Sequence, residues 1–431
     1  MPAKPGAYGT LQILGRSGLK QYAGYLDEEF HKSLNSQPKR YKAFTEMASN
    51  DATIGAVLYA TKTLIRSVPW YLKPADESAE ADEARQFVDE CRGDLSHTWE
   101  DFVIESLSDM VHGWALFEIV YKVRDGRNED PARNSKYTDG RIGWRKFGIR
   151  SQDTLVRWEF DDDGGIRGMH QSAPPTYEVT FLPIEKCLLF RPDFSKNNPE
   201  GKSLLRNSYR AWFYKKRIEE MEGIRIDRDA TGLPKMSLPP EIMNASPGTT
   251  NATLRDDYEG KLQKLRHDEY GCVLVPAETT QDGQPSGFKF ELIQSTGGPA
   301  IDMDRTIRRY QHDIAMTLMA EFMLLGSQPS GTRSLADSKT ELFAVALGAL
   351  MDTRKAVLNR FAIPRLLRLN GIDEQMAPTL EHGDIESRDL AQLGTFVQQM
   401  LSVGAMTPDE QLERELRSAA KLPQRDGDQG E

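Results

Sequence analysis

Residues 299–371 hold the pattern that most constrains the fold, two long apolar-periodic segments around one short polar break. In the first segment, apolar residues recur at steps of three and four, at Met303, Ile307, Tyr310, Ile314 and Leu318. That period predicts one stripe of an α-helix. Residues 301–325, if helical throughout, span about 37 Å.

The polar break GSQPSGTRS contains residues that end helices, namely Gly326, Pro329 and Gly331. Asp337 is predicted to start the next helix, which continues to a kink at Pro364. In residues 335–369 the apolar side chains cover more than half of the helix circumference, which is typical of a helix buried on several sides. The whole unit is either a hairpin packed in a core or a pair of helices that presents a loop at a fixed place.

The bulk composition narrows the class of protein. The chain has 431 residues, 39% of them hydrophobic and 28% charged, as in ordinary soluble proteins. We expect no transmembrane helix and no signal peptide, because no apolar run is long enough. Cys91, Cys187 and Cys272 are far apart and indicate neither a disulfide framework nor a zinc site. The net charge of −10 argues against tight, non-specific binding of nucleic acid.

The rest of the chain predicts an α+β fold with more helix than strand. Helices are predicted at 41–68 with a break near Asn50, 76–94 as a solvated helix, 98–112, 201–222, 254–267 and from 384 onward. Strands are predicted at 70–72, 114–123, 233–238, 271–276 and 288–293. Residues 141–192 alternate turn signals with short apolar runs, which indicates a small antiparallel β region.

The strongest catalytic candidate is KNNPEGKS at 196–203, which follows an apolar strand and precedes a helix, as a phosphate-binding loop does. Gly201, Lys202 and Ser203 fit the end of that pattern. Lys196 stands where the first glycine is required, however, and a phosphate needs the close backbone approach that glycine allows. A turn followed by a helix start is the simpler interpretation.

No other motif indicates catalysis. The seven histidines form no HExxH and no Cys/His cluster, and no GxSxG occurs, so the sequence predicts no active site, no metal and no cofactor. Basic residues concentrate between 202 and 228, where Arg206, Arg210 and Arg217 fall near one helical face. This stripe either faces nucleic acid or forms ion pairs with acidic residues of a neighbouring element or subunit.

Four passages in order resemble the portal proteins of tailed bacteriophages, most closely the Mu-like group. They are NDATIGAVLYATKTLIRSVPWYLKP (50–74), NPEGKSLLRNSYRAWFYKKRIEEMEG (198–223), AIDMDRTIRRYQHDIAMTLMAEFMLLGSQPSGTRSLAD (300–337) and LSVGAMTPDEQLERELRSAAKLP (401–423). No single motif is diagnostic, because portals share order and shape more than invariant residues.

The resemblance implies a mostly helical portal fold with long stem helices, a small antiparallel β wing region and a clip. Carried onto this chain, it divides the sequence into an arm (1–40), a wing (41–198), a stem helix (199–222), a clip (223–298), a second stem helix (299–325), a tunnel loop (326–337), a wing helix with crown (338–425) and a tail (426–431).

The resemblance also implies a function without catalysis. Portals form a ring, usually dodecameric, at one capsid vertex, and DNA enters and leaves through the channel. The implied partners are further copies of the chain, double-stranded DNA bound without sequence preference, the terminase large subunit, the major capsid or scaffold protein and a head-completion adaptor, and no membrane. The implied location is the virion, and the host cytoplasm during assembly.

In such a ring, the loop at 326–337 is expected to line the channel. Its predicted DNA contacts are Ser327, Gln328, Ser330, Thr332 and Arg333. Alternatively, Arg333 pairs with Asp337 and only stabilises the following helix. Two other functions remain open, a P-loop-like nucleotide-binding protein that uses 196–203 and a non-viral helical scaffold.

Overall fold

The computed structural model describes residues 15–231, 233–264, 273–277, 287–293, 302–320 and 333–383. The chain separates into two compact units, one formed by residues 1–209 and 314–431 and the other by residues 210–313. The cysteine at 272 and the helix predicted from 384 lie outside the described residues.

The elements up to residue 209 alternate between helices and short strands. They are β1 (Gln21–Tyr22), β2 (Tyr25–Leu26), α1 (Gln37–Asn50), α2 (Ala52–Arg66), β3 (Trp70–Lys73), α3 (Ala79–Gly93), α4 (Trp99–Ser106), α5 (Ser108–His112), β4 (Ala115–Val123), β5 (Ile142–Arg150), β6 (Leu155–Phe160), β7 (Ile166–Ser172), β8 (Val179–Pro183) and β9 (Cys187–Phe190).

The predicted break near Asn50 is confirmed and has a local cause. Asp51 separates α1 from α2 in an extended backbone conformation. Its carboxylate accepts hydrogen bonds from the amides of Thr53 and Ile54, at 3.0 Å each. An N-cap of this kind satisfies backbone donors that the first turn of a helix leaves without partners.

The helix predicted over 76–94 is confirmed at Ala79–Gly93, but the prediction that it is solvated holds for one face only. Helix α3 carries its acidic residues on one face, but its other face is buried, at Ala81, Ala84, Phe87, Val88 and Cys91. These small and apolar residues recur at steps of three and four, and the abundance of acidic residues obscures that stripe in the sequence.

Two antiparallel sheets confirm the β region predicted over 141–192. Strand β4 lies between β5 and β9, and strand β7 lies between β6 and β8. Trp114 and Trp158 pack edge to face with ring centroids 5.2 Å apart. Phe117 of β4 packs against Phe102 of α4 at 5.1 Å, so the first sheet and the helices share one core.

The second unit contains the predicted strands in an arrangement that the sequence pattern did not show. Its elements are α6 (Tyr209–Thr231), β10 (Leu233–Leu238), α7 (Pro240–Met243), α8 (Thr250–Lys264), β11 (Val273–Pro276), β12 (Lys289–Ile293) and α9 (Met303–Thr317). Helices α6 and α9 each begin or end in the first unit, because the unit boundaries fall within them. Strand β10 pairs in parallel with β11 and antiparallel with β12. A parallel pair needs a long crossover, and α7 and α8 lie in that connection.

Helix α9 ends at Thr317, so the predicted continuous helix over 301–325 is wrong at residues 318–320, and residues 321–325 lie outside the described ranges. Met319 adopts a left-handed conformation with φ of 57°. The amide of Ala320 donates to the carbonyl of Ala315 at 2.8 Å, and the amide of Met319 donates to that of Met316 at 3.1 Å. This pair of bonds is a Schellman C-cap, which ends the helix well before the predicted glycine.

The described part of the first unit continues with a long helix that begins at Arg333. The elements are α10 (Arg333–Val357), one π-helical turn (Leu358–Ala362), α11 (Ile363–Leu369) and β13 (Thr379–His382), which pairs antiparallel with β3. The kink predicted at Pro364 stays a prediction, and a π-helical turn directly precedes the short helix that contains this proline. Taken together, helices and small, mostly antiparallel sheets confirm the predicted α+β fold.

Candidate functional site

Four backbone amides of the loop at 196–203 already donate hydrogen bonds to oxygen atoms of this chain, over 2.8–3.3 Å. The amides of Asn198, Gly201 and Lys202 donate to the carbonyls of Ser195, Asn198 and Asp193, respectively, and the amide of Glu200 donates to the side chain of Asn198. Lys196 extends to the carboxylate of Glu28 at 3.0 Å. A phosphate-binding loop needs such amides to point at its ligand, so the geometry favours the interpretation as a turn.

The helix predicted from 201 begins later than expected. Gly201 has φ of 54°, and a Cβ there would lie 2.2 Å from the carbonyl oxygen of Gly113, so the chain makes a close turn at this point. The Ser203 hydroxyl donates to the carbonyl of Val111 at 2.5 Å and accepts the amide of Leu205 at 3.0 Å. A 3-10 turn at Leu204–Arg206 follows, and the α-helix begins only at Tyr209.

Arg206 is therefore separate from the helix that carries the other two predicted basic residues. Its Nη2 lies 2.7 Å from Oε1 of Glu29, and its guanidinium packs over the ring of Phe30 at 5.2 Å. Burial alone would raise the pKa of Glu29, but hydrogen bonds from Arg206 and from the His31 amide hold that pKa below its usual value. For Arg206, the structure therefore supports an ion pair with an acidic residue of the same chain.

Arg210 and Arg217 both lie exposed on α6. The guanidinium of Arg217 lies 4.4 Å from the ring centroid of Phe213, and that of Arg210 lies 6.0 Å from that of Tyr214. Both cations therefore contact aromatic rings of their own helix. A contact of this helix with DNA stays a prediction.

The predicted channel loop falls largely on residues that the structure leaves undescribed. Ser327, Gln328, Ser330 and Thr332 lie outside the described residues. Arg333 is the first residue of α10, and Asp337, predicted to start that helix, lies inside it. Residues 333–336, Arg-Ser-Leu-Ala, contain no glycine or proline, so nothing in their composition prevents the helix from beginning four residues earlier.

One basic face was missed by the sequence reasoning. Arg305, Arg308 and Arg309 are exposed on α9, whereas Ile307 on the same helix is buried. The signal was present as charged residues at positions that alternate with the apolar stripe of this helix. The apolar stripe is the stronger periodic signal of this segment and obscures the charged positions between its residues.

Helix α10 carries apolar residues on two opposite faces. Phe343, Leu347 and Met351 are buried, with 4%, 2% and 0% of their surface exposed. Leu342 and Val345 are 64% and 63% exposed. Exposed apolar residues at helical spacing are typical of a surface that another protein covers.

Arg354 fixes the buried face of α10 to the helices α4 and α5. Its Nη2 lies 2.6 Å from a carboxylate oxygen of Asp109, and its Nε donates to the Ser106 hydroxyl at 3.0 Å. Both members of the ion pair are at least 99% buried. Burial raises the pKa of Asp109, and the Arg354 charge opposes that shift.

A groove of about 550 Å³ lies among the first helices of the first unit, and its lining includes Tyr41, Thr45, Glu105 and His112. The His112 ring stacks on Tyr41 at 4.8 Å, and burial lowers the pKa of His112 to about 4. Burial also raises the pKa of Cys91 to about 11 and that of Cys187 to about 12, so neither thiol is reactive at neutral pH. Within the described ranges, no group of acidic, His and Cys side chains is arranged to hold a metal ion.

The helices that the structure describes include none with the length and apolar content to cross a bilayer.

Comparison with known families gives one match that covers most of the chain. A family model described as the portal protein of Mu bacteriophage matches residues 41–417. A comparison with curated proteins finds no match.

Two chains from gene transfer agent particles share the fold at low sequence identity. A chain of the virion of a native gene transfer agent particle is 12% identical, with a TM-score of 0.50 over 90% of this chain and 94% of the other. A chain from the neck of an empty gene transfer agent particle is 11% identical, with a TM-score of 0.50 over 89% and 94%. An HK97-family phage portal protein from Corynebacterium diphtheriae is 11% identical, with a TM-score of 0.43 over 80% and 94%.

Proposed function

The chain belongs to the portal protein family of bacteriophage Mu, and from this we propose that it forms the ring at one capsid vertex through which phage DNA is packaged and ejected. The single observation that carries the proposal is the family match over residues 41–417. The fold supports it, since chains from the virion and the neck of gene transfer agent particles share that fold.

Exposed apolar residues in both units support assembly of several copies. In the first unit they are Leu342 and Val345 of α10, and in the second unit Met221, Ile224 and Ile226 of α6, which are 43–62% exposed. A closed ring needs two different, complementary surfaces on every copy. We propose a ring of about twelve copies, as is usual in the family.

We propose that successive segments of the chain form the known parts of a portal. Residues 41–198 form the wing, 199–222 and 299–325 contribute the stem, 223–298 the clip, and 338–425 the wing helix and crown, with an arm at 1–40 and a tail at 426–431. The loop at 326–337 lines the channel, with Ser327, Gln328, Ser330, Thr332 and Arg333 near the DNA.

The proposed partners follow from that role. The ring docks the terminase large subunit during packaging and a head-completion adaptor afterward, and it sits among capsid or scaffold subunits in the virion after assembly in the host cytoplasm. Because the occupied amides of the 196–203 loop favour a turn over a phosphate site, we expect purified protein to hydrolyse no ATP. The energy for DNA movement then comes from the terminase.

Electron microscopy of purified protein in negative stain tests the proposed function. We expect rings with a central hole, together with a mass of about twelve chains by mass photometry at micromolar concentration. Only monomers at every salt concentration, or open and irregular clusters, would contradict the portal role and favour a non-viral helical scaffold.

Arg333→Ala tests the proposed channel loop. If Arg333 touches DNA, packaging yield or retention of DNA in filled heads falls while the rings keep their thermal stability. Unchanged packaging with a lower melting temperature would instead assign Arg333 to an ion pair with Asp337, four residues along α10.

A further inference from the structure

The chain contains one Asn-Gly dipeptide, Asn370-Gly371, directly after helix α11. An asparagine followed by glycine loses its side-chain amide more readily than other asparagines. The cause is that glycine has no Cβ to hinder the attack of its backbone nitrogen on the preceding side chain. In the fold, each residue of this dipeptide has a separate structural role.

Gly371 ends helix α11. It has φ of 68°, in the left-handed region that glycine adopts without steric cost. Its amide donates to the carbonyl of Arg368 at 3.2 Å, and the amide of Ile372 donates to that of Leu367 at 3.0 Å. This pair of bonds is a Schellman motif, which favours glycine at the position of Gly371. The backbone nitrogen that could attack Asn370 is therefore held by the helix end.

The Asn370 carboxamide joins the end of α11 to strand β5. Its Oδ1 accepts a hydrogen bond from the amide of Ile142 at 2.8 Å, and its Nδ2 donates to the carbonyls of Ile142 and Leu366 at 2.9 Å each. Strand β5 lies at the edge of its sheet, and a further strand would use the same two backbone groups of Ile142. The carboxamide thus occupies the place of a neighbouring strand.

Two other contacts close the same strand farther along. The Ser96 amide donates to the carbonyl of Arg145 at 2.9 Å, and Nε2 of His97 accepts a hydrogen bond from the Phe147 amide at 3.0 Å. Neither contact depends on a side-chain amide that hydrolysis can remove. Asn370 is the member of this set that a spontaneous reaction can change.

We propose that Asn370 is a site of spontaneous deamidation that the fold suppresses, and that the product of the reaction releases the edge of β5. The Gly371 nitrogen attacks Cγ of Asn370, the Cγ–Nδ2 bond breaks, and ammonia leaves with the proton of the attacking amide. One water then opens the resulting succinimide to aspartate or isoaspartate, with no change of oxidation state. In the folded chain hydrogen bonds hold both reacting groups, so the reaction requires local opening of the helix end.

The carboxylate of the product cannot replace the carboxamide. It can still accept the Ile142 amide, but it has no proton to donate to the carbonyls of Ile142 and Leu366, which then face a negative charge. A negative charge at the C-terminal end of a helix is also unfavourable. Both effects move the side chain off the strand edge. The chemistry at Asn370 is independent of the portal role proposed above.

Peptide mass spectrometry of the full-length protein, incubated at neutral pH either folded or in guanidinium chloride, measures the rate of deamidation at Asn370. Asn359 is an internal control. Its carboxamide makes the same pair of bonds with the amide and carbonyl of Leu380, at 2.8 and 3.0 Å, but Arg360 follows it instead of glycine. In denaturant we expect Asn370 to react faster than Asn359. In the folded chain Asn370 should react about a hundredfold more slowly than in denaturant.

Hydrogen exchange followed by mass spectrometry tests the effect of the product on β5. In Asn370→Asp we expect faster exchange than in the parent protein for the peptide that contains Ile142. Asn359→Asp is the matched control, since it makes the same change at Leu380 and should leave that peptide unchanged. Asn370→Ala removes the same two donated bonds without adding a charge, and it takes the place of the aspartate variant if that variant does not fold.

Four results would overturn the proposal. Rates at Asn370 that agree within about threefold between folded and denatured chains would show that the fold does not suppress the reaction. A rate in denaturant no faster than that of Asn359 would show that Asn370 is not a labile site. Unchanged exchange at Ile142 in a folded variant would show that the edge of β5 does not depend on the carboxamide. Failure of both variants to fold would assign Asn370 to the stability of the whole unit instead of the strand edge.

Discussion

At the scale of single residues, the ion pair of Arg354 and Asp109 determines how the long helix α10 packs on the helices α4 and α5. The two charges lie 2.6 Å apart with almost no solvent access. Two hydrogen bonds from Arg354 to Ser106, at 3.0 and 3.2 Å, complete the site. Burying charges is costly unless they are paired, so this geometry disfavours any other register of the helix.

Arg354→Met tests that conclusion. The substitution leaves the Asp109 carboxylate buried without its counter-charge, and we expect a loss of about 3–5 kcal/mol in the free energy of unfolding, measured by chemical denaturation. The double variant Arg354→Met/Asp109→Leu removes both charges and should regain most of that loss. A single variant that costs less than about 1 kcal/mol would show that the pair does not hold α10.

His112 predicts a pH dependence of stability. Burial lowers its pKa in the folded chain to about 4 from 6.5, while the Asp153 charge opposes that shift. The unfolded chain therefore binds a proton more tightly, and stability is lost as the pH falls from about 6.5 toward about 4, on the order of 3 kcal/mol in total.

His112→Phe keeps a ring against Tyr41 but cannot titrate. We expect its free energy of unfolding to fall less than that of the parent protein between pH 7 and pH 4.5, by denaturant titration at each pH. Parallel curves for the two proteins would show that His112 does not contribute.

At the scale of elements, the backbone conformation of Met319 sets the residue at which helix α9 ends. Helix α9 ends with Met319 in a left-handed conformation that glycine adopts more easily. Two carbonyl groups of its last turn accept hydrogen bonds from Met319 and Ala320. A non-glycine residue in this conformation costs about 1–2 kcal/mol, so the surrounding structure must stabilise the helix end.

Met319→Gly relieves that cost. Met319 is 58% exposed, so little packing is lost, and we expect the free energy of unfolding to rise by about 0.5–1 kcal/mol after the entropy of glycine is subtracted. Met319→Val is the matched opposite, because a β-branched residue tolerates this backbone conformation worst, and it should destabilise the protein. The reverse order of the two variants would mean that the helix does not end at Thr317 in solution.

At the scale of the whole molecule, the exposed apolar face of α10 links the fold of one copy to the proposed assembly. The same helix buries Phe343, Leu347 and Met351 within its own chain and exposes Leu342 and Val345. A continuous helix that is apolar on both sides can join the core of one copy to the surface of the next. Ring formation then buries the residues that the single chain leaves in water.

Val345→Glu places a charge on that face. Because glutamate is compatible with an exposed helix position, we expect native circular dichroism but few or no rings by mass photometry. Val123→Glu is the matched control, since Val123 is also exposed, at 51%, but lies at the end of strand β4. Rings formed equally by both variants would exclude this face from the subunit contact.

Part of the candidate site could be predicted from the sequence and part could not. The phosphate-loop alternative was already weak because Lys196 replaces a glycine, and the amide bonds of that loop support the same conclusion. The pairing of Arg206 with Glu29 was out of reach, since the two residues are 177 positions apart. A contact between such distant residues depends on the whole fold and leaves no periodic signal in either segment.

The sequence by itself determined what short-range physics controls, namely the break at Asp51, the alternating strands of the β region and the family through four ordered passages. Only the tertiary structure decided the end of α9 at Thr317, the buried face of α3 and the parallel pairing of β10 with β11. Caps, prolines and strand alternation act within a few residues, where local energies are decisive. A helix end at a residue without a local stop signal, such as Met319, depends on contacts between distant segments, as do burial and strand partners, and the free energy of those contacts exists only once the chain is folded.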